Sequence, residues 1–248
     1  MEELYNKVQL NFGQKISIIL KEPKKSLIIE PICALLRLKE NGLKNLKSKT
    51  KFIYLISPDK IYSNFYSDLI SVLETKKVKY FQLRLKKASE NKIIITSKKI
   101  KKICKAFKVK FIINDSPLIA KKIDADGCHL GQNDMNIKEA RKIIKNKIIG
   151  ITCHNSIKFA KEAIKNKANY IAIGAFNRSK TKRTKYKTTI KDLKKIRNIS
   201  KKPIVAIGGI DQNNYKKLLL NKADFLAISS FVWKNNKLKP KEAIEKIK

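Results

Sequence analysis

The segment FIINDSPLIAKKIDADGCHLGQND, residues 111–134, decides the fold. It contains two short apolar runs, and a lysine-containing segment joins them. The first run ends at Asn114-Asp115, and the second is followed by Gln132, Asn133 and Asp134. Runs that are apolar at nearly every position are typical of parallel strands, which are buried on both faces. The segment therefore predicts two parallel strands, each with an aspartate just past its end.

The same alternation extends in both directions, from residue 51 to residue 248. The strand-like runs are FIYLIS (52–57), KYFQLRL (79–85), KFIIND (110–115), GCHLG (127–131), KIIGIT (147–152), YIAIG (170–174), PIVAIGG (203–209) and FLAISS (225–230). Segments with helical spacing include SKKIKKICKAF (97–107), IKEARKIIK (137–145), IKDLKKIRNI (190–199) and KPKEAIEKIK (239–248). Eight evenly spaced strand-helix units predict an α/β fold, a closed (β/α)8 TIM barrel, over residues 51–248. A doubly wound open sheet is the alternative.

Residues 1–50 do not follow this alternation. The stretch SLIIEPICALLRLKENGLKNL indicates one or two helical segments broken at Pro31. We therefore predict an N-terminal helical extension, whose role the sequence does not reveal.

The charge balance is strongly basic. The chain has 58 lysine and arginine residues against 20 acidic ones, for a net charge of +38. Only six of the basic residues are arginine, the residue that base readout and bidentate phosphate contacts favour. The lysines are also spread over the whole length. This pattern predicts a solvated lysine coat and no nucleic-acid partner, although the coat should steer anionic small molecules toward the protein.

Cysteine usage and the apolar stretches indicate the compartment. Cys33, Cys104, Cys128 and Cys153 lie far apart in apolar runs, so we expect buried free thiols in a reducing environment. The first residues show no secretory signal, and every apolar stretch is shorter than the roughly 18 residues of a membrane span. We expect a cytoplasmic protein that does not enter a membrane. The sequence leaves its oligomeric state open, a homo-oligomer included.

Polar residues collect where the predicted strands end, which in such a barrel is the active face. They are Gln82, Arg84 and Lys86, then Asn114 and Asp115, then His129, Gln132 and Asp134, then Thr152 and His154, then the basic loop at 174–187, then Gly208 and Gly209, and finally Ser229 and Ser230. Taken singly, each has a structural interpretation. Asp115 or Asp134 could cap a helix, and His129 could be a packed, hydrogen-bonded imidazole. The basic loop could be a solvated surface.

Taken together, these residues predict a site for two phosphorylated ligands. Carboxylates on adjacent strands, Asp115 and Asp134, can hold Mg2+, which prefers oxygen ligands and shares them with phosphates. Cations for the phosphates are available at Arg84, Lys86 and Lys182. A second phosphate could bind at the backbone N–H groups of Gly208-Gly209 and the Ser229-Ser230 turn, after strands 7 and 8.

From about residue 51 to 232 the chain resembles the thiamine-phosphate synthase family. The motifs that carry the resemblance are QLRLK (82–86), FIIND (111–115), ADGCHLGQND (125–134), GITCH (150–154), SKTK (179–182), PIVAIGGI (203–210) and AISS (227–230). The resemblance implies a TIM-barrel transferase that joins 4-amino-2-methyl-5-hydroxymethylpyrimidine diphosphate to 4-methyl-5-(2-hydroxyethyl)thiazole phosphate. The products are thiamine phosphate and diphosphate. In the family, diphosphate leaves first and the thiazole nitrogen captures the resulting pyrimidine cation.

The resemblance also implies a role for each matching residue. Asp115 and Asp134 match the Mg2+ ligands. The catalytic contacts to the leaving diphosphate match Arg84, Lys86 and Lys182, together with Asn114. Gln82 and His129 match positions that line the pyrimidine, and Thr152 stands where the family has a substrate-binding serine. Ser179 and Thr181 match a hydroxyl pair near the phosphates, and Gly209, Ser229 and Ser230 match the thiazole-phosphate cradle.

The chain departs from the family pattern at a few positions. Arg178-Ser179 replaces the usual proline-threonine, Thr152 replaces serine, and Ser229 replaces an aliphatic residue. One rival function is the related thiazole tautomerase, which uses a histidine near the position of His154. Others are a non-catalytic sensor of thiamine precursors and a polyanion binder. Asp134, with Arg84, Lys86 and the SKTK segment, favours the synthase, because a tautomerase has no diphosphate to expel.

Overall fold

The computed structural model describes residues 52–177 and 186–248 as a closed parallel barrel in which every strand pairs with the next along the chain and β1 pairs with β8. The strands are β1 (Ile53–Ile56), β2 (Val78–Leu83), β3 (Lys110–Asn114), β4 (Gly127–Leu130), β5 (Ile148–Thr152), β6 (Tyr170–Gly174), β7 (Ile204–Ile207) and β8 (Phe225–Ile228). This confirms the (β/α)8 TIM barrel. The open-sheet alternative is wrong.

Helices follow the strands on the outside of the barrel. Over the described ranges they are α1 (Phe65–Glu74), α2 (Glu90–Ala106), α3 (Pro117–Lys122), α4 (Ile137–Ile144), α5 (Ile157–Lys165), α6 (Ile190–Ile199), α7 (Tyr215–Leu220), α8 (Ser230–Trp233) and α9 (Pro240–Glu245). The bounds predicted for α6 are confirmed. Helix α2 begins seven residues earlier than predicted, because the Ser89 hydroxyl caps it by accepting from the Lys92 N–H. Strand β8 ends two residues early, at Ile228, and the short helix α8 follows at once.

The barrel has two apolar layers. The larger one lies between the strands and the helices and includes Phe65 and Leu69 of α1, both fully buried. The smaller one fills the inside of the barrel and is built around Tyr54 and Tyr170. Gly150 makes room for it, because a Cβ there would lie 1.8 Å from Cζ of Tyr170. Buried tyrosine hydroxyls need hydrogen-bond partners, so polar groups must lie near the barrel axis.

A repeated polar contact fastens the barrel at its amino-terminal end. Asp126, Asn169 and Asp224 each stand directly before an even-numbered strand, β4, β6 or β8. In each case a side-chain oxygen accepts, at 2.9 Å, a backbone N–H of the preceding odd-numbered strand; the donors are Phe111, Ile149 and Ile204. Each contact thus links two neighbouring strands at the amino-terminal end of the barrel, away from the candidate site residues at the carboxyl ends.

The β1–β2 pair is fastened differently. Lys77 stands before β2, and its Nζ donates to the carbonyl oxygens of Ile244, Glu245 and Ile247 at 3.4, 3.3 and 2.8 Å. The first strand pair is therefore attached to helix α9 and the residues that follow it.

Several sequence expectations can be placed on this fold. Cys104, Cys128 and Cys153 are buried free thiols, as predicted, while Cys33 lies outside the described residues. The extension proposed for residues 1–50 also lies outside them. Across the described parts of the chain, none of the helices has the length and apolar character needed to cross a membrane.

Candidate active site

A cavity of about 200 Å³ opens at the carboxyl ends of the strands. Its lining includes thirteen of the residues selected from the sequence: Gln82, Arg84, Lys86, Asn114, Asp115, His129, Asp134, Thr152, His154, Gly208, Gly209, Ser229 and Ser230. The strand-end rule thus brought together every described candidate except Gln132, which lines a neighbouring pocket and whose Nε2 donates to the Thr152 carbonyl. The remaining candidates, Ser179, Thr181 and Lys182, lie outside the described residues, as does Arg178.

The two aspartates face each other at one side of this cavity. Asp115 follows β3 with a φ of 65°, and its backbone N–H donates to the His129 carbonyl at 2.8 Å. Oδ2 of Asp134 accepts the Gly131 N–H at 2.6 Å, which holds the β4 loop closed. Burial raises the pKa of the Asp115 carboxyl, and the nearby Asp134 adds to this increase. Lys86 Nζ, 3.4 Å from Asp115 Oδ2, opposes it only in part. The pair therefore favours a further positive charge beside it.

The helix-cap interpretation of these aspartates is wrong. Helix α3 is capped by Ser116, whose hydroxyl accepts from the Ile119 N–H at 3.2 Å. Helix α4 is capped by Asn136, which accepts from the Glu139 N–H at 3.0 Å. Neither carboxylate therefore caps a helix, and both lie at the cavity wall.

Arg84 provides a more enclosed cation than Lys86, with 19% of its side chain exposed against 50%. Its backbone N–H donates to the Ser57 hydroxyl at 2.9 Å, and its guanidinium lies 3.5 Å from Asp59. Asp59 also pairs with Lys234 at 2.7 Å. Ser57 and Asp59 line the cavity and were missed in the sequence. They could have been found by applying the strand-end rule to the run at 52–57 as well.

A chain of side-chain hydrogen bonds runs beneath the cavity floor. Gln82 Nε2 donates to the Tyr54 hydroxyl at 3.3 Å, which lies 2.7 Å from the Tyr170 hydroxyl. Tyr170 lies 2.9 Å from Nδ1 of His129, and Nε2 of His129 lies 2.9 Å from the Thr152 hydroxyl. The packed-imidazole interpretation of His129 is therefore correct, and the same ring also lines the cavity. Sequence reasoning missed both tyrosines.

Burial lowers the pKa of His129 to about 4. In the unfolded chain a histidine has a pKa of about 6.5, so between these values the unfolded state binds the additional proton and the folded state is destabilised as the pH falls. The free energy of unfolding should drop by about 2 kcal/mol from this residue between pH 7 and pH 5. Urea unfolding of the wild type and of His129→Gln at both values measures it. Equal losses in the two proteins would show that His129 does not contribute.

Glycines shape the opposite wall. Gly208 has a φ of 108°, and a Cβ there would lie 2.4 Å from the Ala175 Cβ. Gly209 follows with a φ of 56°. The chain can therefore turn sharply after β7 and bring its backbone to the cavity beside Ser229 and Ser230.

The geometry can be compared with known proteins. The family model described as thiamine monophosphate synthase matches residues 53–232. The chain belongs to the thiamine-phosphate synthase family. A thiamine-phosphate synthase of Pelagibacter ubique is 60% identical over 207 residues, which cover 83% of this chain and 100% of the relative. That of Erythrobacter litoralis is 39% identical, covering 73% of this chain and 87% of the relative.

Solved structures agree with the family assignment. A thiamine phosphate pyrophosphorylase from Pyrococcus furiosus superposes with a TM-score of 0.70 at 28% identity, and the match covers 82% of this chain and 95% of that one. An orotidine 5'-phosphate decarboxylase from Pyrococcus horikoshii superposes with a TM-score of 0.56 at 15% identity over 78% of this chain and 96% of that one, which shows the barrel fold alone.

Proposed function

We propose that this synthase-family site condenses the hydroxymethylpyrimidine diphosphate with the thiazole phosphate, giving thiamine phosphate and diphosphate. The observation that carries the proposal is the facing pair Asp115 and Asp134 with Arg84 and Lys86 on the same cavity. Carboxylates and cations side by side suit a metal-bound diphosphate, because each part of that ligand has an opposite charge to meet.

The donor set fits Mg2+. Asp115 and Asp134 would hold the ion, and its remaining positions would go to diphosphate oxygens and water, which is how proteins usually bind this ion. The raised pKa of Asp115 supports the assignment, because a cation beside the pair would favour the ionised carboxyl. The described ranges contain no group of three or more histidine, cysteine or acidic side chains that could hold a metal ion by themselves. When bound, Mg2+ supplies Lewis-acid stabilisation of the diphosphate leaving group.

The cations complete the diphosphate subsite. Arg84 can offer a planar pair of N–H donors, and Lys86 a mobile ammonium beside Asp115. Asn114 lines the cavity next to Asp115 and offers a neutral amide. We assign Lys182, with Ser179 and Thr181, to the same phosphates on the family resemblance. These groups meet the negative charge that grows on the leaving oxygen as the carbon–oxygen bond breaks.

The pyrimidine would lie on the floor formed by Gln82, His129 and Thr152. Apolar side chains at Ile56, Ile207 and Ala227 line the same cavity and exclude water from the reacting carbon. This exclusion matters, because water would otherwise capture the pyrimidine cation before the thiazole nitrogen does.

The thiazole phosphate would bind across the barrel, at Gly209, Ser229 and Ser230. Backbone N–H groups and hydroxyls can donate to its oxygens without a metal. The two ligands would thus meet over the barrel axis, with their phosphates held on opposite walls.

Covalent catalysis is not needed. Burial raises the pKa of Cys128 and of Cys153 to about 12, so these thiols are poor nucleophiles. The diphosphate therefore leaves and the thiazole nitrogen captures the pyrimidine cation without any enzyme-bound covalent intermediate.

The proposal includes the wider context expected from the sequence. The substrates are phosphorylated small molecules, no nucleic acid is involved, and the enzyme works in the cytoplasm. Residues 1–50 form an appendage to the domain at 51–248, a division supported by the family match, which starts at residue 53. A homo-oligomer is compatible with this function but not required by it.

The experiment is an end-point assay of the purified chain with both phosphorylated precursors, with and without Mg2+. We expect diphosphate and thiamine phosphate in equal amounts, and only when Mg2+ is present. Isomerisation of a thiazole without diphosphate release would support the tautomerase instead. Tight binding of both precursors without any product would support the sensor.

A further inference from the structure

The hydrogen-bonded chain from Gln82 to Thr152 crosses the inside of the barrel and ends at the cavity on both sides. Of its three inner members, Tyr54 and Tyr170 are buried and do not line the cavity, whereas His129 does. Both end members, Gln82 and Thr152, do line it. The tyrosines therefore cannot touch a ligand, and any effect they have on one must pass through the chain.

The chain carries a direction. Each tyrosine hydroxyl has one hydrogen, and a neutral imidazole has one donor and one acceptor nitrogen. Gln82 Nε2 can only donate, so the Tyr54 oxygen accepts and its hydrogen is directed to Tyr170. Tyr170 in turn donates to Nδ1 of His129, which leaves the histidine hydrogen on Nε2, where it is donated to the Thr152 oxygen.

This order fixes what the two ends offer to a ligand. With one N–H of its NH2 group used by Tyr54, Gln82 presents its carbonyl oxygen, an acceptor, beside its second N–H. With its oxygen used by His129, Thr152 presents its hydroxyl hydrogen, a donor. Turning the Gln82 amide over would reverse every link and exchange the two roles. The chain therefore couples the polarity of one end to that of the other.

We propose that Tyr54 and Tyr170 are positioning residues that hold His129 as the Nε2–H tautomer and thereby make the site select a 4-aminopyrimidine over a 4-oxopyrimidine. An aminopyrimidine offers an amino donor beside a ring-nitrogen acceptor, which complements an acceptor at Gln82 and a donor at Thr152. The 4-oxo analogue has a carbonyl acceptor beside an N–H donor and meets the opposite polarity. The identity of the pyrimidine rests on the proposed function; the tautomer does not.

The tautomer can be read directly, because the chain has two histidines, His129 and His154. In protein labelled with 15N-histidine, long-range proton–nitrogen correlation spectra distinguish the Nε2–H, Nδ1–H and doubly protonated forms, and a His154→Gln variant assigns the signals. At pH 7 we expect His129 to show the Nε2–H pattern alone. Removing the donor to Nδ1 in Tyr170→Phe should produce a mixture of tautomers.

The selectivity is measured as the ratio of Kd values for the 4-oxo and the 4-amino pyrimidine diphosphates, obtained by titration calorimetry. Tyr170→Phe should lower this ratio roughly 10- to 100-fold. Without the Tyr170 hydroxyl, Gln82 and Thr152 are no longer held in the polarity that disfavours the 4-oxo analogue. The matched control is Tyr80→Phe. The Tyr80 ring stacks on Tyr54 at 5.4 Å, but its hydroxyl takes no part in the chain, so the ratio should stay at the wild-type value. If Tyr170→Phe does not fold, Tyr54→Phe breaks the chain one link earlier.

Each result bears on the proposal. A wild-type His129 that is a cation, the Nδ1–H tautomer or a mixture overturns it, as does a Tyr170→Phe variant that binds both pyrimidines equally less well. An equal change in Tyr80→Phe also overturns it, because aromatic packing would then be the cause. A single Nε2–H tautomer in a protein without condensation activity would leave the hydrogen-bonded chain intact and remove the proposed function instead.

Discussion

Replacing Asp134 with asparagine is expected to lower kcat/KM for the pyrimidine diphosphate by about a thousandfold, the loss of several kcal/mol of transition-state stabilisation. Asparagine has the same shape and can still accept the Gly131 N–H at 2.6 Å, so the β4 loop should keep its conformation. What it lacks is the second negative charge beside Asp115. The variant should require a much higher Mg2+ concentration for half-maximal rate, which steady-state rates over a Mg2+ titration would measure.

The control is the same chemical change at the other end of the barrel. Asp124 precedes β4 and pairs with Lys101 and Lys147 on the surface, with 75% of its side chain exposed. Asp124→Asn should leave the rate and its Mg2+ dependence unchanged, because exposed ion pairs contribute little to stability. A wild-type Mg2+ dependence in Asp134→Asn would disprove the metal assignment.

Replacing Arg84 with alanine is expected to lower kcat by roughly 10²- to 10³-fold, the usual effect of removing one donor aimed at developing charge. The effect should be on kcat more than on the KM of the thiazole phosphate, which is assigned to Gly209, Ser229 and Ser230. Arg84→Lys should recover part of the rate, since lysine restores the charge but not the planar pair of donors. Steady-state kinetics with each substrate varied in turn measures kcat and both KM values separately.

Lys234 provides the matched control for charge alone. It pairs with Asp59, as Arg84 does, but it is 43% exposed and does not line the cavity. Lys234→Ala should therefore keep kcat within about twofold of wild type, since a rim charge mainly affects encounter. If kcat falls as much in Lys234→Ala as in Arg84→Ala, the general positive potential at the cavity entrance, and not a specific contact of Arg84, would explain the loss.

Much of the site could be predicted because parallel strands in a barrel end on one face. Once the runs at 79–85, 110–115 and 127–131 are identified as strands, the polar residues after them must converge. The same reasoning placed Gly208-Gly209 and Ser229-Ser230 on this face, after strands 7 and 8. No distance was needed for this, only the order of strands and the position at which each ends.

The parts that could not be predicted depend on information that a pattern does not carry. Tyr54 and Tyr170 lie in strands that are apolar on both faces, so alternation does not reveal which residues point into the barrel. Asp115 and Ser116 are adjacent residues of types that both cap helices, and only the folded structure, in which the Ser116 hydroxyl accepts the Ile119 N–H, shows that the serine takes that role. Ion pairs such as Asp59 with Arg84 join a loop to a strand end and depend on three-dimensional distance.

The contacts at the amino-terminal end of the barrel make that end a scaffold that is independent of the active-site loops. Asp126, Asn169 and Asp224 couple neighbouring strands, and Lys77 couples the first pair to the segment after α9, all away from the chemistry. Because these contacts do not involve the loops that follow the strands, those loops can be replaced by protein engineering. New binding specificities can be grafted at the mouth while the four attachments keep the scaffold in register.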